Sequence, residues 1–243
     1  MLWVSPLACS KKCGASWASK IGVTMSLKTI EAEIGAAKIL AVSKLQPTSK
    51  IRDIYQEGQR LFGENYPQEA LEKMDELADL PDIEWHLIGH LQRNKAKLVI
   101  GKFHLIHSVD TLELAQLLDN LALAKGIRQN VLIQVNLAME ETKSGFNKEI
   151  LEGVWSQLVE LKGLKIMGLM TMPPLTEDGV AARPYFRELH QLRARLRVTT
   201  DPYVHPLTEL SMGTSSDYLA AVAEGATILR LGTILFGERP VAG

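Results

Sequence analysis

Short runs of aliphatic and β-branched residues recur along the chain at intervals that leave room for one helix between each pair. This alternation is typical of βαβ units and predicts a parallel sheet. Several runs are apolar on both faces, which favours strands packed between a central core and a coat of helices. We predict eight strands, at 38–43, 61–64, 84–88, 103–109, 131–136, 164–170, 207–212 and 227–231.

The segments between these strands carry apolar residues at helical spacing. Leucines recur every three or four positions in 111–125 and 181–196, which predicts amphipathic helices that cover the sheet. Eight strands with intervening helices favour a single (β/α)8 TIM barrel, whose active site lies at the C-terminal ends of the strands. The alternative is an open doubly wound sheet, which would need a glycine-rich turn after an early strand. The turn from Lys44 to Pro47 is not glycine-rich.

Composition narrows the possible partners. The chain has 243 residues, of which 46% are hydrophobic and 23% charged, and its formal net charge is -1. This balance predicts no nucleic-acid partner, and no apolar run has the length that a membrane partner would require. Cys9 and Cys13 precede the predicted barrel, so we expect no disulfide framework or thiolate metal site in its core, and a cytoplasmic location.

The domain boundary is predicted near the second methionine. Met25 opens a segment of helical character that leads directly into the first predicted strand. We therefore expect residues 25–243 to form the barrel. Residues 1–24 are expected to be a disordered extension or to be translated from a misassigned start.

Polar residues follow the predicted strands at their C-terminal ends. Lys44 ends the first one, where an amine can stay a solvated cation or lose its proton and condense with an aldehyde. The segment Ser211 to Ser216 offers hydroxyl groups and backbone N–H groups just before a helix, which is the chemistry of an anion cradle. Gly232 and Thr233 repeat this pattern after the last strand, and barrels often bind phosphate between these two loops.

Arg230 adds a third element to this edge. Strand alternation places it on the same face as Ile228 and opposite Leu229 and Leu231, which predicts a guanidinium in the barrel mouth. A guanidinium only donates hydrogen bonds, so it suits a phosphate, a carboxylate or an unprotonated ring nitrogen. An imine-forming lysine, a phosphate cradle and a donor for a ring nitrogen together describe a pyridoxal phosphate site.

Other polar residues have simpler interpretations. His86 and His90 straddle a strand end instead of lying on a helix, so their spacing predicts no metal site. Ser108 and Asp110 are predicted to cap the helix that begins near residue 111.

Nine stretches in unbroken order resemble the pyridoxal phosphate homeostasis proteins. They are Ala41 to Lys44, Phe62 to Asn65, Trp85 to Gln92, His107 to Asp110, Lys143 to Phe146, Gly168 to Met172, Leu210 to Gly213, and Arg230 to Thr233 followed by Phe236 to Arg239.

The resemblance implies a barrel of the alanine racemase N-terminal kind, which is fold type III among pyridoxal phosphate (PLP) proteins. It also implies a Schiff base between Lys44 and PLP, with Arg230 at the pyridine nitrogen. Around the phosphate it implies Ser211, Gly232 and Thr233, with Met212 and Gly213 shaping the cradle. The residues that it implies for the ring pocket are Asn65, His86 and Met170.

The resemblance further implies a non-catalytic carrier that takes part in vitamin B6 and amino acid homeostasis. An arginine at the ring nitrogen weakens the electron sink that PLP enzymes use. The chain ends three residues after Pro240, where racemases have a second domain for dimerisation and for a catalytic tyrosine, so we expect a two-base racemase to be incomplete. We also expect a monomer. PLP-dependent apoenzymes are the expected recipients of the cofactor. The alternatives are a small PLP-dependent racemase or lyase, and an aldolase-like barrel that uses Lys44 without a cofactor.

Overall fold

The structure is a computed structural model that describes residues 24–140, 143–174 and 179–238. The prediction for residues 1–24 lies, apart from Thr24, outside these ranges. The described strands form a closed barrel in chain order. They are β1 (Lys38–Val42), β2 (Leu61–Glu64), β3 (Glu84–Leu87), β4 (Leu105–Val109), β5 (Gln129–Val135), β6 (Leu164–Thr171), β7 (Glu209–Thr214) and β8 (Ile228–Leu231).

Each strand pairs in parallel with the next, and β8 pairs with β1, so the sheet has no open edge. All eight predicted strands and the TIM barrel are therefore confirmed. The described helices are α1 (Leu27–Ile34), α2 (Thr48–Gln56), α3 (Pro67–Glu76), α4 (Ala96–Val99), α5 (Leu112–Ala124), α6 (Lys148–Val159), α7 (Arg183–Val198), α8 (Tyr218–Ala223) and α9 (Thr233–Phe236).

Strand alternation sorts the apolar residues into two cores. Inside the barrel, a small layer of side chains fills the centre: Leu40, Leu105, Leu132, Met170 and Ile228. The larger core lies between the strands and the helices and includes the neighbours of these residues along each strand. None of the helices in the described ranges is both long enough and apolar enough to cross a bilayer.

The start of α5 corrects one prediction. Its N-cap is Thr111, whose hydroxyl accepts a hydrogen bond of 3.2 Å from the backbone N–H of Leu114. Ser108 cannot cap the helix because β4 continues to Val109. Asp110 lies one residue too early, and its Oδ2 lies 3.0 Å from Nδ1 of His90.

Candidate functional site

A cavity of about 430 Å³ opens at the C-terminal mouth of the barrel. It lies where a TIM barrel places its chemistry, among the loops that follow the strands. Half of the residues that the sequence predicts for a cofactor site line this cavity. They are Lys44, Asn65, Arg230, Gly232 and Thr233.

Lys44 reaches the cavity because of its place in the strand pattern. It lies two residues beyond the end of β1 and shares a face with Leu40, which belongs to the barrel interior, and with Val42, which lines the cavity. Its side chain is partly buried. The sequence therefore places an amine at the cavity wall, directly above the apolar centre of the barrel.

The two neighbours of Lys44 are held by carboxylates. The hydroxyl of Ser43 donates to Oε1 of Glu64 at 2.7 Å, and the backbone N–H of Leu45 donates to Oε1 of Glu69 at 2.6 Å. Leu45 has a φ of 59°, a left-handed conformation that a leucine rarely adopts and that its surroundings must stabilise. The backbone on both sides of Lys44 is thereby fixed.

Lys73 of α3 connects these carboxylates. Its Nζ donates to Oε1 of Glu64 at 2.8 Å, to Oε1 of Glu69 at 2.7 Å and to the carbonyl of Ser43 at 2.7 Å. All three ammonium donors are thus used, as a buried lysine requires. Burial raises the pKa of Glu64, and the charge of Lys73 opposes that shift. We interpret this network as support for the segment that carries Lys44.

Arg230 carries its charge into the same cavity. Its Nη1 donates to Oγ of Ser211 and its Nη2 to the carbonyl of Thr171, each at 2.8 Å. Burial lowers the pKa of Arg230 to about 10, so the guanidinium stays protonated at neutral pH. Ile228 faces the barrel interior while Leu229 and Leu231 pack against the helices, which confirms the predicted orientation of the strand.

Ser211 lies beneath the cavity and joins Arg230 to two buried histidines. Its Oγ is 2.9 Å from Nδ1 of His107, and Nε2 of His107 is 2.9 Å from Nδ1 of His86. Burial lowers the pKa of His86 to about 3 and that of His107 well below its usual value. Both imidazoles are therefore neutral near pH 7, and each can donate one hydrogen bond and accept another.

The loops after β7 and β8 meet at the other wall of the cavity. The backbone N–H groups of Gly232 and Ile234 point at Oγ of Ser215, at 3.3 Å and 3.5 Å. Gly213 has a φ of 90°, and a Cβ there would lie only 2.6 Å from Cβ of Ala221, so only glycine lets this loop pack against α8. Backbone N–H groups and hydroxyls therefore converge here, as a phosphate would require.

The other five predicted residues do not line this cavity, and one of them, Ser211, lies beneath it. His86 and Met170 lie one layer deeper than expected, because β3 and β6 each continue before reaching the mouth. The side chain of Met212 alternates with that of Ser211 and therefore packs in the core between strands and helices. Gly213 lines a neighbouring cavity of about 390 Å³ that also reaches Arg230.

Some lining residues were not among the predicted site residues. Val42, Ile88 and Met172 complete the apolar part of the wall. Period-two spacing contained a signal for two of them, since Val42 precedes Lys44 by two positions and Met172 follows Met170 by two.

Comparison with known proteins fits this geometry. The family model for the alanine racemase N-terminal domain matches residues 24–240. The pyridoxal phosphate homeostasis protein of Aquifex aeolicus is 47% identical over 203 residues, which are 84% of this chain and 87% of that protein. The chain belongs to the pyridoxal phosphate homeostasis protein family. The resemblance seen in the sequence is thereby confirmed.

Solved structures place this homeostasis-family chain among similar barrels. PipY of Synechococcus elongatus, solved with PLP bound, is 39% identical with a TM-score of 0.81, covering 91% of this chain and 100% of PipY. Alanine racemase of Bartonella henselae has a TM-score of 0.67 at 16% identity, covering 93% of this chain and 62% of the racemase. At that identity the racemase shows a shared fold alone.

Proposed function

We propose that this chain binds PLP in the C-terminal cavity, with Lys44 as the covalent attachment point, and serves PLP homeostasis by holding the cofactor. The observation that carries the proposal is the meeting of three groups in one cavity of about 430 Å³: the amine of Lys44, the guanidinium of Arg230 and the loops at Gly232. The PLP bound to PipY and the names of the curated relatives support it.

The residues present fit this cofactor. Backbone N–H groups and hydroxyls near Ser215 and Thr233 suit a phosphate. Arg230 only donates, which suits an unprotonated ring nitrogen. Oδ1 of Asn65 is buried and has no hydrogen-bond partner among the described residues. That acceptor matches a ligand that brings a donor, such as the ring hydroxyl of PLP.

The residues around the cavity favour a protein that holds PLP over one that uses PLP for catalysis. Bound PLP would supply an aldehyde, and a deprotonated amine converts an aldehyde into a C=N bond with the loss of one water. Arg230 is already anchored to Ser211 and Thr171, so it stays in place as a permanent donor. A ring nitrogen that accepts this hydrogen bond stays unprotonated and withdraws electrons weakly.

Absorption spectroscopy tests the assignment. The purified full chain, incubated with PLP, should show a visible band that Lys44→Ala abolishes. Lys162→Ala is the matched control, because Lys162 is exposed on the surface. A band that persists in Lys44→Ala would reject Lys44 as the attachment point. A wild-type protein that gains no band and retains no PLP would reject the cofactor itself and favour an aldolase-like barrel.

An amino acid racemase or lyase is the second candidate, because a bound PLP makes such chemistry accessible. Incubation of the PLP-loaded protein with single amino acids in deuterium oxide distinguishes the two. The carrier proposal expects no exchange at Cα above that of PLP alone. Rapid exchange with loss of stereochemistry would contradict it.

We further propose that the chain delivers PLP to PLP-dependent apoenzymes and that it is a monomer. Loaded protein mixed with a PLP-dependent apoenzyme should restore that enzyme's activity faster than the cofactor escapes into a trap for free aldehyde. Restoration only at the rate of escape would reject direct transfer.

Light scattering during size-exclusion chromatography should give the mass of one chain, and a dimer mass would reject the monomer.

A further inference from the structure

A second cavity, of about 240 Å³, lies at the opposite, N-terminal mouth of the barrel. Its walls include Lys38 and Glu84, which begin their strands, together with His86, His104 and Glu209. The PLP proposal uses none of these residues as ligands. These side chains therefore have no role in the proposed PLP site.

Three of these side chains converge. Glu84 and His86 are two residues apart on β3 and so share a face. The backbone N–H of His104 donates to the carbonyl of Trp85 at 2.8 Å, which fixes His104 beside them. Oε2 of Glu84 is 3.5 Å from Nε2 of His104, and one ligand atom from each of the three residues lies within 4.8 Å of those from the other two.

The distances between these three ligand atoms are close to the distances between ligand atoms in a metal site. Zinc binds nitrogen and oxygen ligands at about 2.0–2.2 Å in a tetrahedron, which puts neighbouring ligand atoms roughly 3.3–3.6 Å apart. The side chains of His104 and Glu84 are 50% and 45% exposed, so they can rotate to close the remaining gap. His86 is held rigidly and sets the position of the site.

His86 supplies an independent sign of a missing ligand. Only 2% of the residue is exposed, yet its Nε2 has no hydrogen-bond partner within the described ranges. A buried nitrogen without a partner is unfavourable, because it has lost its hydrogen bonds to water. The other ring nitrogen, Nδ1, lies 2.9 Å from Nε2 of His107, which matches the way metal-binding histidines use their second nitrogen.

The hydrogen-bond chain beyond His107 can set the tautomer of His86. Arg230 donates to Oγ of Ser211, and that oxygen can also accept from Nδ1–H of His107. Nε2 of His107 then accepts from Nδ1–H of His86. The lone pair of His86 is thereby left on Nε2, the nitrogen that has no other partner.

We propose that Glu84, His86 and His104 bind a divalent transition-metal ion of the zinc class, with the remaining position open to water in the cavity. Two imidazoles and one carboxylate suit zinc better than magnesium or calcium, which prefer oxygen ligands throughout. Glu209 adds a second carboxylate, and Nζ of Lys38 is paired with its Oε1 at 3.1 Å.

Calorimetric titration with Zn²⁺ tests the proposal. The untagged full chain should carry Cys9→Ser and Cys13→Ser, so that thiolates cannot bind the metal. We expect one ion per chain and a melting temperature that rises with Zn²⁺. Absence of such binding in this background would overturn the site.

Single substitutions locate the ligands. His104→Ala and Glu84→Gln change exposed side chains and should each weaken binding about tenfold or more, which is a loss of about 1.4 kcal/mol. His190→Ala, which removes an exposed histidine of α7, should leave binding unchanged. Unchanged affinity in His104→Ala, or an equal loss in His190→Ala, would contradict the assignment. Lys44→Ala should keep metal binding intact, so this site and the PLP site can fail separately.

Discussion

Nζ of Lys73 donates a hydrogen bond of 2.7 Å to the backbone carbonyl of Ser43, the residue immediately before Lys44. The same ammonium neutralises Glu64, which is fully buried and whose carboxylate accepts from the hydroxyl of Ser43. A helix side chain thus fixes the backbone of the segment that carries the proposed attachment point.

Lys73→Met should destabilise the protein by about 3–5 kcal/mol, because it leaves the charge of Glu64 buried and unpaired. It should also weaken PLP binding, since Ser43 and the segment after it lose their anchor. Urea unfolding and PLP titration measure the two effects. Lys162→Met, on the exposed surface, is the control and should change neither.

The double variant Lys73→Met with Glu64→Gln separates charge from packing. It should recover part of the lost stability because no buried charge remains. A double variant as unstable as the sum of the two single variants would show that the pair is not coupled.

Substitution by alanine should affect mainly stability at Ser211 and mainly PLP affinity at Ser215. Ser211→Ala removes the acceptor of Arg230 and the partner of His107, which should cost about 1–3 kcal/mol of unfolding free energy. Ser215→Ala instead changes the cavity wall. It should change stability by less than about 1 kcal/mol and weaken PLP about tenfold, as expected for a hydrogen bond to a charged phosphate.

Thermal melts and PLP titrations of both serine variants check this contrast. Equal effects of the two substitutions on PLP affinity, with no difference in stability, would contradict the separation between cavity wall and buried support.

As well as through the buried neutral imidazoles of His86 and His107, acid should destabilise the protein through His205. Its Nδ1 accepts from the backbone N–H of Ile166 at 3.1 Å, and its Nε2 lies 2.9 Å from the carbonyl of Val159, so the buried ring is neutral with its proton on Nε2. Burial lowers its pKa. The unfolded chain therefore binds a proton at this residue more readily than the folded chain. The contribution of His205 to the free energy of unfolding is fully present above pH 6.5 and is lost as the pH falls, by at most about 1.4 kcal/mol per pH unit.

Unfolding by urea between pH 7.5 and 5.5 measures this loss. His205→Asn keeps an acceptor for Ile166 but cannot titrate in this range, so its stability should depend less on pH. A slope that the substitution leaves unchanged would assign the acid sensitivity to other groups.

Strand alternation was sufficient to predict the barrel and the direction in which Arg230 points. A period of two residues identifies the face of each side chain. It does not give the depth along the barrel axis, because depth depends on where each tilted strand ends and on its register with its neighbours. The resemblance implied His86 and Met170 for the ring pocket, but neither lines the cavity at the mouth, and Met170 belongs to the inner layer of the barrel.

Contacts between elements that are far apart along the chain cannot be read from the sequence alone. Lys73 is one lysine on an amphipathic helix, and its link to Ser43 appears only when α3 packs beside β2. The approach of His104 to Glu84 likewise depends on the pairing of β3 with β4, which no spacing in the sequence shows.

Reduction of the PLP-loaded full chain with borohydride, followed by peptide mapping, tests whether Lys44 is the attachment point of the cofactor. Borohydride makes a C=N bond permanent, so mass spectrometry can identify the lysine that carries the cofactor. We expect one pyridoxyl group, on Lys44. A label on another lysine with Lys44 unmodified, or no label on a protein that retains PLP, would contradict it.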